Sequence, residues 1–393
     1  MEIDPNLGTK EDLDALIRDA KKLGMRVILD GVFNHTGDDS RYFNRYSNYS
    51  SLGAYQSPES PYYDWYTFHG SRDKYDSWWG IDTLPAIRES SESYQSFMFS
   101  EDGVIKHWLR HGIGGYRLDV ADELPGFFLK KLRKAAKEQD PEAIIIGEVW
   151  EDASNKIAYG ERREYFQGEE LDSVMNYPLK DAIINFLLSG NTSRFREAIA
   201  MLIDHYPKAT LDCLMNHLGT HDTARILTVL GGKSCQNKDE MAVTSLNEKE
   251  QAAAKKLLKM GAVLQFTLPG VPCVYYGDEI GMQGYSDPFC RACFDWENGD
   301  LQLKSFYEQL AAARHRLADV FRDGTYREVF ANQTCLVYER KSSSGSVYVY
   351  VNRGSCQYRL NFCGKYQEYL SGKQYEDEIV VKSGEYGILA RVR

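Results

Sequence analysis

A repeated alternation of amphipathic helix and short apolar run, most runs closed by a polar side chain, limits this chain more than any other feature. Its first copy is the clearest. Thr9 stands at an N-cap, Asp12 completes a capping box, and Leu13, Leu16, Ile17, Ala20 and Leu23 recur at helical spacing up to Gly24, which predicts an amphipathic helix over 9–24. Val27-Ile28-Leu29 follows between Arg26 and Asp30, as a parallel strand covered on both faces would. The unit recurs at 114–119 with a helix near 125–138, at 144–148, and at 173–176 with a helix near 179–188. It returns at 212–217 with a helix near 248–263, and at 271–276 with a helix near 302–317. This rhythm predicts an α/β fold around a parallel sheet, open or closed as a barrel. Both architectures place active sites at the carboxyl ends of the strands.

The 393 residues exceed the roughly 250–300 at which one core stops growing, so a second domain is expected. From about 322 the pattern changes to β-rich runs such as Cys335-Leu336-Val337-Tyr338-Glu339 and Ser346-Val347-Tyr348-Val349-Tyr350-Val351 between Gly and Ser turns. The α/β domain is therefore placed at 1–320 and an antiparallel all-β domain at 321–393. Residues 41–80 hold thirteen aromatics among Ser, Asn, Asp and Gly, which reads as an irregular excursion over about 37–100 whose rings mostly pack on one another.

Partners and compartment are narrowed by charge. With 57 acidic and 47 basic residues the net charge is -10 and no Lys/Arg block interrupts it, so nucleic acid and anionic membrane surfaces are not natural partners. No run of about eighteen apolar residues suggests a span, and Met1-Glu2-Ile3-Asp4 is acidic where an export signal is basic and then apolar, so a cytoplasmic location is expected. Eight cysteines without a tight framework read as reduced thiols. Cys290 and Cys293 form a lone C-x-x-C whose closest histidine is His315 on a predicted helix, so no metal or redox site is expected there.

Four strand ends carry chemistry: Asp30-Gly31-Val32-Phe33-Asn34-His35, Arg117-Leu118-Asp119, Gly147-Glu148-Val149-Trp150 and His221-Asp222. Any one carboxylate there is ordinarily a salt bridge or a cap; their concurrence points to a site. Arg117 and Asp119 share a face because strand side chains repeat every second residue. Asp119 and Glu148 end successive strands, and parallel neighbours lie about 4.8 Å apart. That suits the roughly 5–5.5 Å separation of the two carboxyls in a retaining glycosidase. Arg117 would keep Asp119 ionised while nearby negative charge raises Glu148, so that one anion attacks and one acid donates.

These motifs resemble, in order, those of the α-amylase family, glycoside hydrolase family 13. Within it the chain is most similar to the neopullulanase and cyclomaltodextrinase branch, through Trp78-Trp79-Gly80-Ile81-Asp82-Thr83-Leu84-Pro85, Arg117-Leu118-Asp119-Val120-Ala121-Asp122-Glu123 and Tyr276-Gly277-Asp278-Glu279-Ile280-Gly281-Met282. The resemblance implies a (β/α)8 TIM barrel with the excursion as an inserted loop domain and the tail as a C-terminal antiparallel β-sandwich. It implies Asp119 as nucleophile, Glu148 as general acid/base and Asp222 as the carboxylate gripping sugar hydroxyls. His35 and His221 would bond the sugar, Arg117 would orient Asp119, and Trp150 would offer a face on the acceptor side. Asp30 and Asn34 would be framework residues, and His217 a scaffold residue.

The implied activity is retaining hydrolysis of α-1,4-glucosidic bonds in maltooligosaccharides, cyclodextrins, pullulan or related glucans. Transglycosylation or glucan isomerisation by the same triad, or an inactive carbohydrate-binding fragment, are the alternatives. A metal-dependent barrel hydrolase fits less well, since only His35 and His221 end strands. Two departures from the family stand out. Only six barrel strands can be counted, the chain starting at the end of the family's second strand, so an N-terminally incomplete fragment, poorly soluble or inactive alone, is expected. Asp122 and Glu123 occupy the stretch where many relatives place a calcium-binding His. Ca2+ ligands remain available among the oxygens, but no cofactor or required metal is predicted.

Overall fold

The computed structural model describes residues 1–392, which fall into two compact units, Met1–Met175 and the chain from Asn176 onward. The first opens with the helix Lys10–Lys22. Its capping box forms as the sequence predicts, Thr9 Oγ1 accepting from the Asp12 amide at 3.2 Å and Asp12 Oδ2 from the Thr9 amide at 2.8 Å. Strand β1 is Leu29–Gly31, later than the apolar run at 27–29. Its ladder begins where β2 (Gly115–Leu118) offers partners, in the register Leu29↔Tyr116, Asp30↔Arg117 and Gly31↔Leu118.

Strand β3 (Ile144–Gly147) pairs with β2. A short hairpin of β4 (Ile157–Ala158) and β5 (Glu161–Arg162) follows, and then β6 (Ser173–Val174) completes a parallel sheet in the order β1-β2-β3-β6. Gly115 makes the β2–β3 approach feasible: at φ +142° a Cβ would lie 2.0 Å from the Ile144 carbonyl oxygen. The helix Gly126–Gln139 between these strands buries Phe128, Leu129, Leu132, Ala135 and Ala136. Each large side chain among them contributes roughly 1.5–3 kcal/mol by leaving water.

The aromatic excursion is its own core. Phe43 is fully buried, with Tyr75 at 4.8 Å and Tyr66 at 4.9 Å between ring centroids. Trp65 has Tyr42 and Tyr62 at 5.0 Å and Tyr94 and Phe97 at 5.1 Å.

In the second unit the expected strand at 212–217 begins as the helix Lys208–Cys213; β7 is only Met215–His217. The pairing of Lys208 with Asp212 one turn on explains why helix wins locally. Strand β7 lies parallel to β8 (Val271–Cys273). Between them the helix Glu248–Thr267 starts from an Asn247/Glu250 capping box and buries Leu258, Met260, Val263, Leu264 and Phe266.

After the helix Leu301–Arg316 come β9 (Thr325–Ala331), β10 (Cys335–Ser342), β11 (Gly345–Asn352), β12 (Tyr358–Glu368), β13 (Gln374–Val381) and β14 (Tyr386–Arg391). They form one antiparallel sheet in the order β13-β12-β14-β11-β10-β9. Long β12 serves two neighbours, and Val337, Tyr350, Leu360, Val381 and Leu389, from five strands, share one core. Among the described residues no helix is long and apolar enough to cross a membrane.

Candidate active site

The ends of β2 and β3 bring the first candidate residues together. The Asp119 amide donates to the Gly31 carbonyl at 3.1 Å and the Glu148 amide to the Leu118 carbonyl at 2.9 Å, so both acids leave the sheet at the same level. Arg117 holds three carboxylates with one guanidinium. Its Nη1 lies 2.9 Å from Asp119 Oδ1 and 2.8 Å from Asp30 Oδ1, and its Nη2 lies 2.8 Å from Glu148 Oε2 as an ion pair without hydrogen-bond alignment. Glu148 is almost wholly buried, with Oε2 accepting from the Val120 amide at 2.9 Å and Oε1 from Trp150 Nε1 at 3.0 Å. Val120 reaches that position with φ 39°, a left-handed conformation that a β-branched residue adopts only under strain.

Burial and charge compete here. Burial raises the Asp119 pKa from its ordinary value; the Arg117 hydrogen bond pulls it down and the Glu148 charge pushes it further up. The pull expected from Arg117 is therefore present, but burial outweighs it. Burial alone would lower Arg117, yet Glu148, Asp30 and Asp119 hold its pKa above the usual value, so it remains a fixed cation.

His35 stacks on Trp78 with centroids 5.4 Å apart, and burial lowers its pKa against the opposing charge of Glu123. Trp150 is half exposed beside Glu148. Asp30, read from sequence as framework, pairs with the site's cation. Glu123 was not among the expected site residues; its Oε1 accepts from Trp79 Nε1 at 3.1 Å and from the Tyr159 hydroxyl at 2.5 Å. These contacts span 44 and 36 residues, and no local pattern signals them.

In the second unit, His221 Nε2 lies 3.2 Å from Asp222 Oδ2, and Arg291 Nη2 donates to Asp222 Oδ1 at 3.1 Å. Cys290 Sγ donates to the His221 carbonyl at 3.0 Å. The lone C-x-x-C segment thus supports this loop through its first thiol and the adjacent arginine. His217 is buried against Tyr177, and burial drops its pKa to about 3.

Asp122 is taken by Lys156 at 3.0 Å and the Tyr165 hydroxyl at 2.7 Å. Among the described residues no group of three or more His, Cys, Asp or Glu side chains could hold a metal ion.

Residues 1–345 match the family model described as "Alpha amylase, catalytic domain". The chain is 36% identical over 375 residues to an amylopullulanase of Thermoanaerobacterium thermosulfurigenes, covering 87% of this chain and 19% of that protein. It is 32% identical over 367 residues to a cyclomaltodextrinase of Geobacillus thermopakistaniensis (strain MAS1), covering 90% of this chain and 55% of that one. The chain therefore spans between about a fifth and about half of the length of these relatives. The crystal structure of Ttha1563 from Thermus thermophilus superposes with a TM-score of 0.81 at 28% identity, covering 100% of this chain and 82% of that one.

Proposed function

The chain belongs to the α-amylase family, with parallel strands of a TIM-barrel fold and a C-terminal antiparallel β-sheet, and on that premise we propose that it is a retaining glycosidase. Its substrates are α-1,4-linked, starch-derived glucans: maltooligosaccharides, cyclodextrins or pullulan. The observation that carries this reading is the pair Asp119 and Glu148 at the ends of neighbouring parallel strands, tied by Arg117. Asp119 attacks the anomeric carbon while Glu148 protonates the departing glycosidic oxygen, leaving a glycosyl ester on Asp119. Glu148 then takes a proton from water, whose oxygen attacks the same carbon and releases Asp119 with configuration retained. Arg117 orients both acids. Asp222 holds sugar hydroxyls, His35 and His221 bond the sugar, and Trp150 lines the acceptor side.

In the same reading residues 1–320 form the catalytic domain with its excursion at about 37–100, and 321–393 the all-β domain. Eight cysteines without a tight framework favour a reducing compartment, the cytoplasm.

The test is product analysis on maltotriose, β-cyclodextrin and pullulan with NMR of the newly released anomer. Release of the α-anomer is expected, with Asp119→Asn and Glu148→Gln each lowering kcat by about 10⁴-fold or more. Undiminished release by Asp119→Asn would overturn the assignment.

A further inference from the structure

One end of the C-terminal sheet carries a cleft of about 990 Å³ that the proposed reaction does not use. Strand register sets which side chains meet there. Ser346 on β11 stands opposite Lys341 on β10, and Val347 opposite Ala390 on β14. Arg391, Ser346 and Lys341 therefore fall in one row across three neighbouring strands and share a face, the outer two about 10 Å apart at the backbone with a small hydroxyl between them. Tyr366 of β12 continues the row opposite Arg391. Arg316, from the last turn of the helix Leu301–Arg316, lines the same cleft.

Charge in this cleft is one-sided. Arg316, Lys341 and Arg391 are exposed, and none has an acidic partner among the described residues, whereas Arg359 and Lys365 on the same sheet meet Glu378 and Glu376 at 2.8 and 3.7 Å. The Arg391 guanidinium rests over Gly364, where a Cβ would lie 3.3 Å from its Nη2. Two acids line the wall. Glu339 is buried and already neutralised by Arg327, whose Nε and Nη2 lie 2.9 and 2.8 Å from its Oε2. Asp319 alone counts against the three cations, which leaves a local surplus of two positive charges in a chain of net charge -10. With a Debye length of about 8 Å at physiological salt, a ligand in the cleft feels that surplus more than the distant acids.

A phosphate monoester carries about −1.5 to −2 charges at pH 7 and three strong acceptor oxygens, which matches this surplus. Arg and Lys are the side chains that bind phosphate, the first through a planar fork and the second as a point charge. Phosphate alone would leave most of the cleft to water, and Tyr348, Tyr366 and Tyr369 supply rings for an organic group. We propose that this cleft binds a small phosphate monoester, with Lys341 and Arg391 approaching the phosphate oxygens from either side of Ser346 and Arg316 adding charge from the helix end.

Calorimetric titration of the full chain at physiological salt, with glucose 6-phosphate and separately with inorganic phosphate, tests it. One site per chain is expected for the ester, and Lys341→Gln and Arg391→Gln should each weaken it on the order of tenfold. Both side chains are exposed, so neither change endangers folding. Lys382, exposed at the other end of the sheet beside Asn352, supplies the control: Lys382→Gln should leave binding unchanged. Inorganic phosphate should bind at the same site more weakly than the ester; equal affinity would overturn the ester in favour of free phosphate. No binding of either anion at millimolar concentration, or an equal loss in Lys382→Gln, overturns the site.

Discussion

Arg117 concentrates the electrostatics of the candidate site in one side chain. Three carboxylates meet its guanidinium, whose side chain is only 12% exposed. Removing the guanidinium leaves Glu148 and Asp119, 4% and 20% exposed, without compensation, which costs about 3–5 kcal/mol. Arg117→Met is therefore expected to lower the urea midpoint strongly at pH 7, and to lower it less as the pH falls and the carboxyls take up protons. Arg117→Lys keeps the charge but lacks a planar fork to span Asp119 and Glu148; stability should largely return while glycosidase activity does not. Full activity in the lysine variant would remove the orienting role. The Arg117–Asp119 relation was legible in sequence because two residues apart on a strand means the same face. Asp30 as the third carboxylate was not, since the register Asp30↔Arg117 exists only once β1 and β2 have paired.

Elements show the same division between local and tertiary information. The helix Lys10–Lys22 is written in its own cap and spacing, and Leu301–Arg316 lies within one residue of the stretch 302–317 read from periodicity. The helix Ser193–His205 also carried a signal, Phe195, Ile199 and Leu202 at helical spacing and all buried, although it falls outside the strand–helix rhythm. Strand ends were less legible because a ladder begins where its partner does. Gly115 tests how tightly that partnership is made. An added Cβ would lie 2.0 Å from the Ile144 carbonyl oxygen and 2.6 Å from its amide nitrogen, both backbone atoms that cannot rotate away. Gly115→Ala should force β2 off β3, separate Asp119 from Glu148, and destabilise the first unit by about 3 kcal/mol or more. Gly24→Ala is the control: its Cβ meets nothing within 4 Å and only the φ of +74° is strained, so about 1 kcal/mol is expected. Equal losses in the two variants, measured by urea denaturation, would mean that strand contact is not what Gly115 protects.

Over the whole molecule, the two units should answer pH differently. In the first, burial raises Glu89 to about 7 and Glu170 to about 6, and raises Asp119 as well. A carboxyl whose folded pKa exceeds its unfolded value binds more protons folded than unfolded between the two. Its contribution to stability therefore falls as pH rises through that window, here from about 4.5 to about 7. In the second unit two buried groups oppose each other. His217, lowered to about 3, loses stability as pH falls below 6.5, whereas Asp278, which burial raises against the pull of Arg225, loses stability as pH rises. Amide exchange at pH 5 and pH 7.5, corrected for intrinsic rates, should thus show protection around β2 and β3 falling with pH while that around β7 and β8 changes little. Glu89→Gln removes one titrating group, so it should flatten the first unit's response by on the order of 2 kcal/mol and make that unit more stable at pH 7.5. Protection around β2 and β3 that rises with pH, or a slope untouched by Glu89→Gln, would show that these carboxyls are not held neutral by burial.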